Sequence, residues 1–281
     1  MGLTRREGPL SPYAPASVNY AIEGPPHKLL MHPFPRRVRA EFAGRTVLDT
    51  RSGFLVHESN LLPVLYVPED DLDAGALVPS GHTTHCPFKG DATYRSLQIG
   101  GRAYDDAVWT YPEPVAAADW LRGLAALYWN AADAWYDEDD QVFAHLTDPF
   151  TRVDIRPTRR HVVVTHTAVT HTAPDGVRTV LAESRAPWVL SETGLKNRWY
   201  LPREDVAVAL SPSDTRTRCP YKGEAAYEHA ALPSGTTLAD AFWHYPEPLP
   251  ESTRIAGLLS VTGGARDDGS EITVTVDGEP A

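Results

Sequence analysis

Residues 85–94 read HCPFKGDATY, and residues 218–227 read RCPYKGEAAY. The string Cys-Pro-aromatic-Lys-Gly-acid-Ala-x-Tyr thus occurs twice in 281 residues and holds both of the chain's cysteines. Three further blocks recur around it in the same order. Glu58 in FLVHESN answers to Glu192 in WVLSETG, Tyr66-Val67-Pro68 to Tyr200-Leu201-Pro202, and Trp109-Thr-Tyr-Pro-Glu-Pro to Trp243-His-Tyr-Pro-Glu-Pro. Every pair is separated by 133 or 134 residues. A near-constant shift across four blocks marks a tandem duplication. A period this long exceeds the ~20–50 residues of a solenoid unit and matches a self-sufficient domain.

The reading is of a Pro-rich arm over residues 1–35, a first domain over 36–134, a connector over 135–158 and a second domain over 159–281. The arm, SPYAPASVNYAIEGPPHKLLMHPFP, is extended by its X-Pro bonds. The connector begins with the acidic run Asp137–Asp140 and contains Pro149 and Pro157. Inside each copy, VRAEF, TVLDT, FLVHE, VLYVP and then HVVVT, RTVLAE, WVLSE, ITVTV alternate with period two and are broken by Gly or Pro. That pattern predicts short antiparallel strands, hence a mainly β fold of two compact copies. AAADWLRGLAALYWNAADAW has helical propensity, but its partner GLLSVTGG does not, so Leu124–Tyr128 is read as a strand with a helical turn near Asp119–Leu121.

Composition narrows the function classes. Hydrophobic residues make up 42% and charged residues 22%, enough to build a core. The balance of 26 Lys+Arg against 37 Asp+Glu gives a net charge of −11, which repels a polyphosphate backbone and speaks against nucleic acid or an anionic membrane surface as partner. No run reaches the ~20 apolar residues of a membrane span, and MGLTRREGPL lacks the apolar stretch of a secretion signal, so the expected location is the cytoplasm. Two cysteines make no disulfide framework, although a Cys86–Cys219 bridge stays open if the Cα atoms approach within about 7 Å.

In Cys-Pro-[Phe/Tyr]-Lys-Gly, proline fixes φ and glycine accepts φ > 0, which frames a tight turn that presents the lysine. One reading makes Cys86, Lys89 and Tyr94, with their counterparts Cys219, Lys222 and Tyr227, pocket residues; the other makes the cysteine a small buried hydrophobe and lets the lysine reach solvent. Trp109 and Tyr111, like Trp243 and Tyr245, lie two apart and face one side of a strand, where they pack a core or line a pocket. Glu113 and Glu247, each held between two prolines, are candidate bases or partners for the lysine. Glu58 and Glu192 end apolar strands; beside a buried lysine they would have to be paired, and otherwise they are surface acids. Arg198 stands where the first copy has Val64, so the two pockets have diverged. His82, His85 and Cys86 cluster in GHTTHC, but the second copy has no histidine there, and no metal is expected. Dinucleotide fingerprints, phosphate-cradling Gly-rich loops and nucleophile-elbow serines are absent from the sequence, and no cofactor is expected.

On these motifs both copies resemble the DUF427 domain family. The resemblance rests on T-x-C-P-[YF]-K-G-x-A-x-Y at Thr84–Tyr94 and Thr217–Tyr227, on W-x-Y-P-x-P, and on YVPEDDL at Tyr66–Leu72 and YLPREDV at Tyr200–Val206. The joint WYDEDDQVFAHLTDPFTRVD is similar to that of tandem members. The resemblance implies a compact, mainly antiparallel β domain of unknown function. The family is sometimes labelled nucleotidyltransferase, an activity that uses Gly-Ser followed by spaced carboxylates holding Mg²⁺. The only Gly-Ser here, Gly269-Ser270, leads into Glu-Ile-Thr-Val-Thr-Val, a terminal strand.

The expectation is an enzyme acting on a small polar or anionic metabolite in the second domain. Lys222, Glu192 and Tyr227 are the catalytic candidates, with Arg198, Cys219, Trp243, Tyr245 and Glu247 as ligand-binding candidates. In the first domain Glu58, Cys86, Lys89, Tyr94, Trp109 and Tyr111 are the ligand-binding candidates. The alternative is a non-catalytic ligand-binding or assembly module, with the duplicated domains forming an internal pseudo-dimer within one chain.

Overall fold

The computed structural model describes residues 25, 27–59, 61–170 and 173–281. The chain divides into two compact units, Met1–Asp148 and Pro149–Ala281. In the first unit the strands are β1 (Leu29–Pro33), β2 (Val38–Phe42), β3 (Arg45–Thr50), β4 (Phe54–Glu58), β5 (Val64–Pro68), β6 (Leu77–Cys86), β7 (Gly90–Ile99), β8 (Arg102–Pro114), β9 (Leu124–Leu127), β10 (Ala134–Asp137) and β11 (Asp140–Val142). They form a seven-stranded sheet in the order β1-β4-β5-β9-β8-β7-β6 and a four-stranded sheet in the order β11-β10-β2-β3, with every pairing antiparallel.

Period-two alternation sends successive residues of the large sheet into two different cores. Leu55, Val67, Val108, Ala125 and Leu127 pack with Val38, Ala40, Phe42, Leu48 and Trp135 of the small sheet. Their neighbours Val56, Tyr66, Trp109, Leu124 and Ala126 face the other way, into a second cluster with Tyr94, Tyr111 and Leu121. The β9 sequence LAAL is buried at all four positions. Both faces of that strand are covered, which is why alanine serves in a strand despite its helical propensity. The expected turn of helix is the 3-10 segment Ala116–Leu121, which caps the second cluster.

The second unit repeats the plan. Its strands are β12 (Val153–Pro157), β13 (Val162–Thr170), β14 (Ala173–Ser184), β15 (Trp188–Glu192), β16 (Arg198–Tyr200), β17 (Ala209–Cys219), β18 (Gly223–Ala231), β19 (Thr237–His244), β20 (Ser260–Val261), β21 (Gly264–Ala265), β22 (Glu271–Val276) and β23 (Glu279–Pro280). β12-β15-β16 and β17-β18-β19-β20 meet at a Leu201↔Leu259 bridge, with Leu201 N–H donating to Leu259 O at 2.7 Å and the reverse bond at 2.9 Å. β14-β13-β22-β21 forms the second layer. Val189, Trp199, Leu201 and Phe242 point into one core, and Leu190, Tyr200 and Trp243 into the other.

The boundaries differ from those read in the sequence. Residues 1–24 and 26 of the expected arm lie outside the described residues, but Leu29–Pro33 is a sheet strand whose partner is Phe54–Glu58. At the other end, Ala134–Asp137 pairs with Val38–Phe42, and Val153–Pro157 pairs with Trp188–Glu192, so three strands fall in or at the edge of the expected connector. Acidic residues and prolines are tolerated there because these strands lie at or near sheet edges, where polar side chains reach water. The central hairpins are also longer than expected, with 10, 10 and 13 residues in β6, β7 and β8.

Candidate functional site

The Cys-Pro-aromatic-Lys turns link β6 to β7 and β17 to β18. Lys89 N–H donates to Cys86 O at 3.2 Å, and Lys222 N–H to Cys219 O at 3.3 Å. The next residue takes φ of +110° at Gly90 and +100° at Gly223. A Cβ there would sit 3.0 Å from Glu113 O and 3.1 Å from Glu247 O, so backbone approach as well as φ requires glycine. The lysine carbonyls in turn accept from Val115 N–H at 3.0 Å and Leu249 N–H at 3.1 Å. These contacts explain the pairing of the two motifs: Tyr-Pro-Glu-Pro is the strand end against which the lysine turn closes.

The turn aims each lysine at the glutamate of the first block. Lys222 Nζ lies 2.6 Å from Glu192 Oε2, with side chains 10% and 12% exposed; Lys89 Nζ lies 2.7 Å from Glu58 Oε2, at 12% and 18%. Burial raises the Glu58 carboxyl pKa, but the hydrogen bond and charge of Lys89, with His27, outweigh it and hold the group below the ordinary carboxylate range. Glu113 and Glu247, the other candidate partners, are exposed, and their carboxylates do not meet the lysines.

The aromatic residues gather around the ion pair. Cys219, Tyr200, Tyr227, Trp243 and Tyr245 share one apolar cluster, as do Cys86, Tyr66, Tyr94, Trp109 and Tyr111. Trp109 Nε1–H donates to Tyr66 OH at 3.0 Å, and Trp243 and Tyr200 stand at the same places in the second cluster. Tyr94 and Tyr227 share hydrogen bonds of 3.0 Å with Thr84 and Thr217. Tyr111 and Tyr245 are different. They are 5% and 6% exposed, and no hydroxyl of theirs is shut away from both solvent and a partner. Burial pushes both far above the ordinary phenol range, so each is a protonated donor facing the Lys–Glu side of the sheet. Both cysteines are free and half-buried.

The copies diverge at the rim. Arg198 is exposed and lies 5.8 Å over the Trp243 ring, and it borders a groove of about 380 Å³ with Lys196, Ser260, Glu271 and Thr273. In the first copy Val64 packs into the apolar cluster, and His27 bonds the free oxygen of Glu58 at 2.8 Å. Glu192 Oε1 has no such partner among the described residues. His85 pairs with Asp91 at 2.6 Å, and His82 packs on Tyr94, so each has a local partner.

A family model described as a domain of unknown function matches residues 30–138 and again 154–272. The chain belongs to the DUF427 family. The two matches reproduce the duplication seen in the sequence, and both DUF427 copies contain the Lys–Glu pair and its tyrosines. No curated protein matches the chain.

Sequence reasoning missed Tyr66 and Tyr200 as site members, although both stand in a repeated block. It also missed His27, whose position in a Pro-rich stretch with no counterpart histidine gave no signal.

Proposed function

We propose that the second DUF427 domain binds a small polar or anionic metabolite and acts on it by proton transfer. The observation that carries this reading is the buried Lys222–Glu192 pair on the side of the sheet where Tyr227 and Tyr245 cluster. The substrate proton passes to the free Oε1 of Glu192, while Lys222 and the Tyr227 and Tyr245 phenols hold the negative charge that develops. Arg198 on the Trp243 face supplies a cation for a carboxylate or phosphate group. A thermal-shift screen with small mono- and dicarboxylates and inorganic phosphate tests it. Saturable stabilisation lost in Lys222→Ala and Tyr245→Phe supports the site; unchanged binding and turnover in Lys222→Ala and Glu192→Gln would sink it.

The self-satisfied ion pair, present in both copies, favours a second reading as a non-catalytic binding module. Binding without chemical change of the bound compound over time would select it.

A further inference from the structure

Phe88 occupies the aromatic position of the first lysine turn, and 42% of it is exposed. The His27 ring lies on it with centroids 4.0 Å apart and planes 16° from parallel. The edges of that ring are also engaged. Nε2 lies 2.8 Å from Glu58 Oε1, whose other oxygen is held by Lys89, and Nδ1 lies 3.3 Å from Ser59 Oγ. Ser59 is itself fixed, because its Oγ accepts Lys28 N–H at 3.2 Å and its N–H donates to Lys28 O at 2.8 Å. With Nε2–H donating to the carboxylate, Nδ1 accepts the serine hydroxyl, and both ring nitrogens are satisfied.

Phe88, Glu58 and Ser59 belong to the domain's own turn and strand end, whereas His27 precedes the first strand and the segment matched by the family model. The second copy has Thr151 at the corresponding place, two residues before the strand residue that pairs with its glutamate. We propose that the first domain contains a seat for a planar azole, with Phe88 as floor, Glu58 as N–H acceptor and Ser59 as donor to the opposite nitrogen, and that the chain fills this seat with its own His27. The seat is independent of what the second domain binds.

Imidazole is the probe. His27→Ala and His27→Gly remove a side chain outside both cores of the first domain, so the full chain should fold, as checked by unchanged far-UV circular dichroism. At about pH 8, above the ordinary imidazole range, either variant should bind imidazole saturably, with shifts in the NMR signals of Phe88. Binding should weaken about tenfold for 1-methylimidazole, which has no N–H to donate, and about tenfold when Glu58→Gln is added. The unaltered chain should show no shift at Phe88, since its seat is filled. Absence of saturable binding in the folded variants, or equal binding of the two probes, would overturn the proposal. A failure at Phe88 leaves the carboxylate and phosphate screen of the second domain unaffected.

Discussion

At Lys222 one residue decides whether a buried carboxylate is paired. Replacing it with Met leaves Glu192 buried without a cation, which should destabilise the second domain by about 3 kcal/mol in urea unfolding. Adding Glu192→Leu should recover most of that loss, because an apolar pair of similar size carries no desolvation cost. Glu58 gives a pH prediction for the first domain. Its folded pKa lies below the ordinary value of 4.5, so its contribution is fully present above that value and is lost as pH falls through the lower folded value. The stability difference between the unaltered chain and Glu58→Gln should therefore shrink on acidification below about pH 4.5 and stay flat at higher pH. A difference that grows in acid would contradict this sign. Gly223→Ala forces a Cβ against Glu247 O at positive φ, and a loss of more than about 1 kcal/mol is expected.

Between elements, the duplication has kept positions and exchanged chemistry. In the first domain Arg95 of β7 donates to Glu69 at 2.9 Å, and Thr110 of β8 donates to the same carboxylate at 3.1 Å. In the second domain the charges are reversed: Arg203 donates to Glu228 of β18, which His244 of β19 also approaches at 3.3 Å. Glu69 and Arg203, Arg95 and Glu228, and Thr110 and His244 are again 133 or 134 residues apart. One ion pair thus ties the turn after the Tyr-x-Pro block to the hairpin in either polarity. Glu69→Arg and Arg95→Glu should each cost about 1–2 kcal/mol, and the double reversal should recover more than half, measured as a double-mutant cycle. The hairpin bulges are also retained, with Asp106 at φ 52° and Asp240 at φ 50°, each accepting from a hydroxyl two strands earlier, Ser80 of β6 and Thr215 of β17. Neither device carried a motif in the sequence. An exchanged charge pair looks like two unrelated substitutions until strand pairing brings its members together.

Across the whole molecule, each unit has its own pair of apolar clusters, one between its sheets and one on the site face. Residues 149–281 expressed alone should therefore fold and unfold cooperatively, with the far-UV and Trp-fluorescence transitions coinciding. Two separated transitions in that fragment would show that it is not self-sufficient. The duplication, the mainly β class, the strand in Leu124–Tyr128 and the association of Lys, Glu, Cys and aromatic residues were all legible along the chain, because period-two alternation and a fixed offset are one-dimensional signals. The tertiary structure had to settle which glutamate meets which lysine and that His27 lies on Phe88. These are contacts between residues 30 or more positions apart, set by sheet register and by a glycine turn closing on a strand end, and neither is written in local spacing.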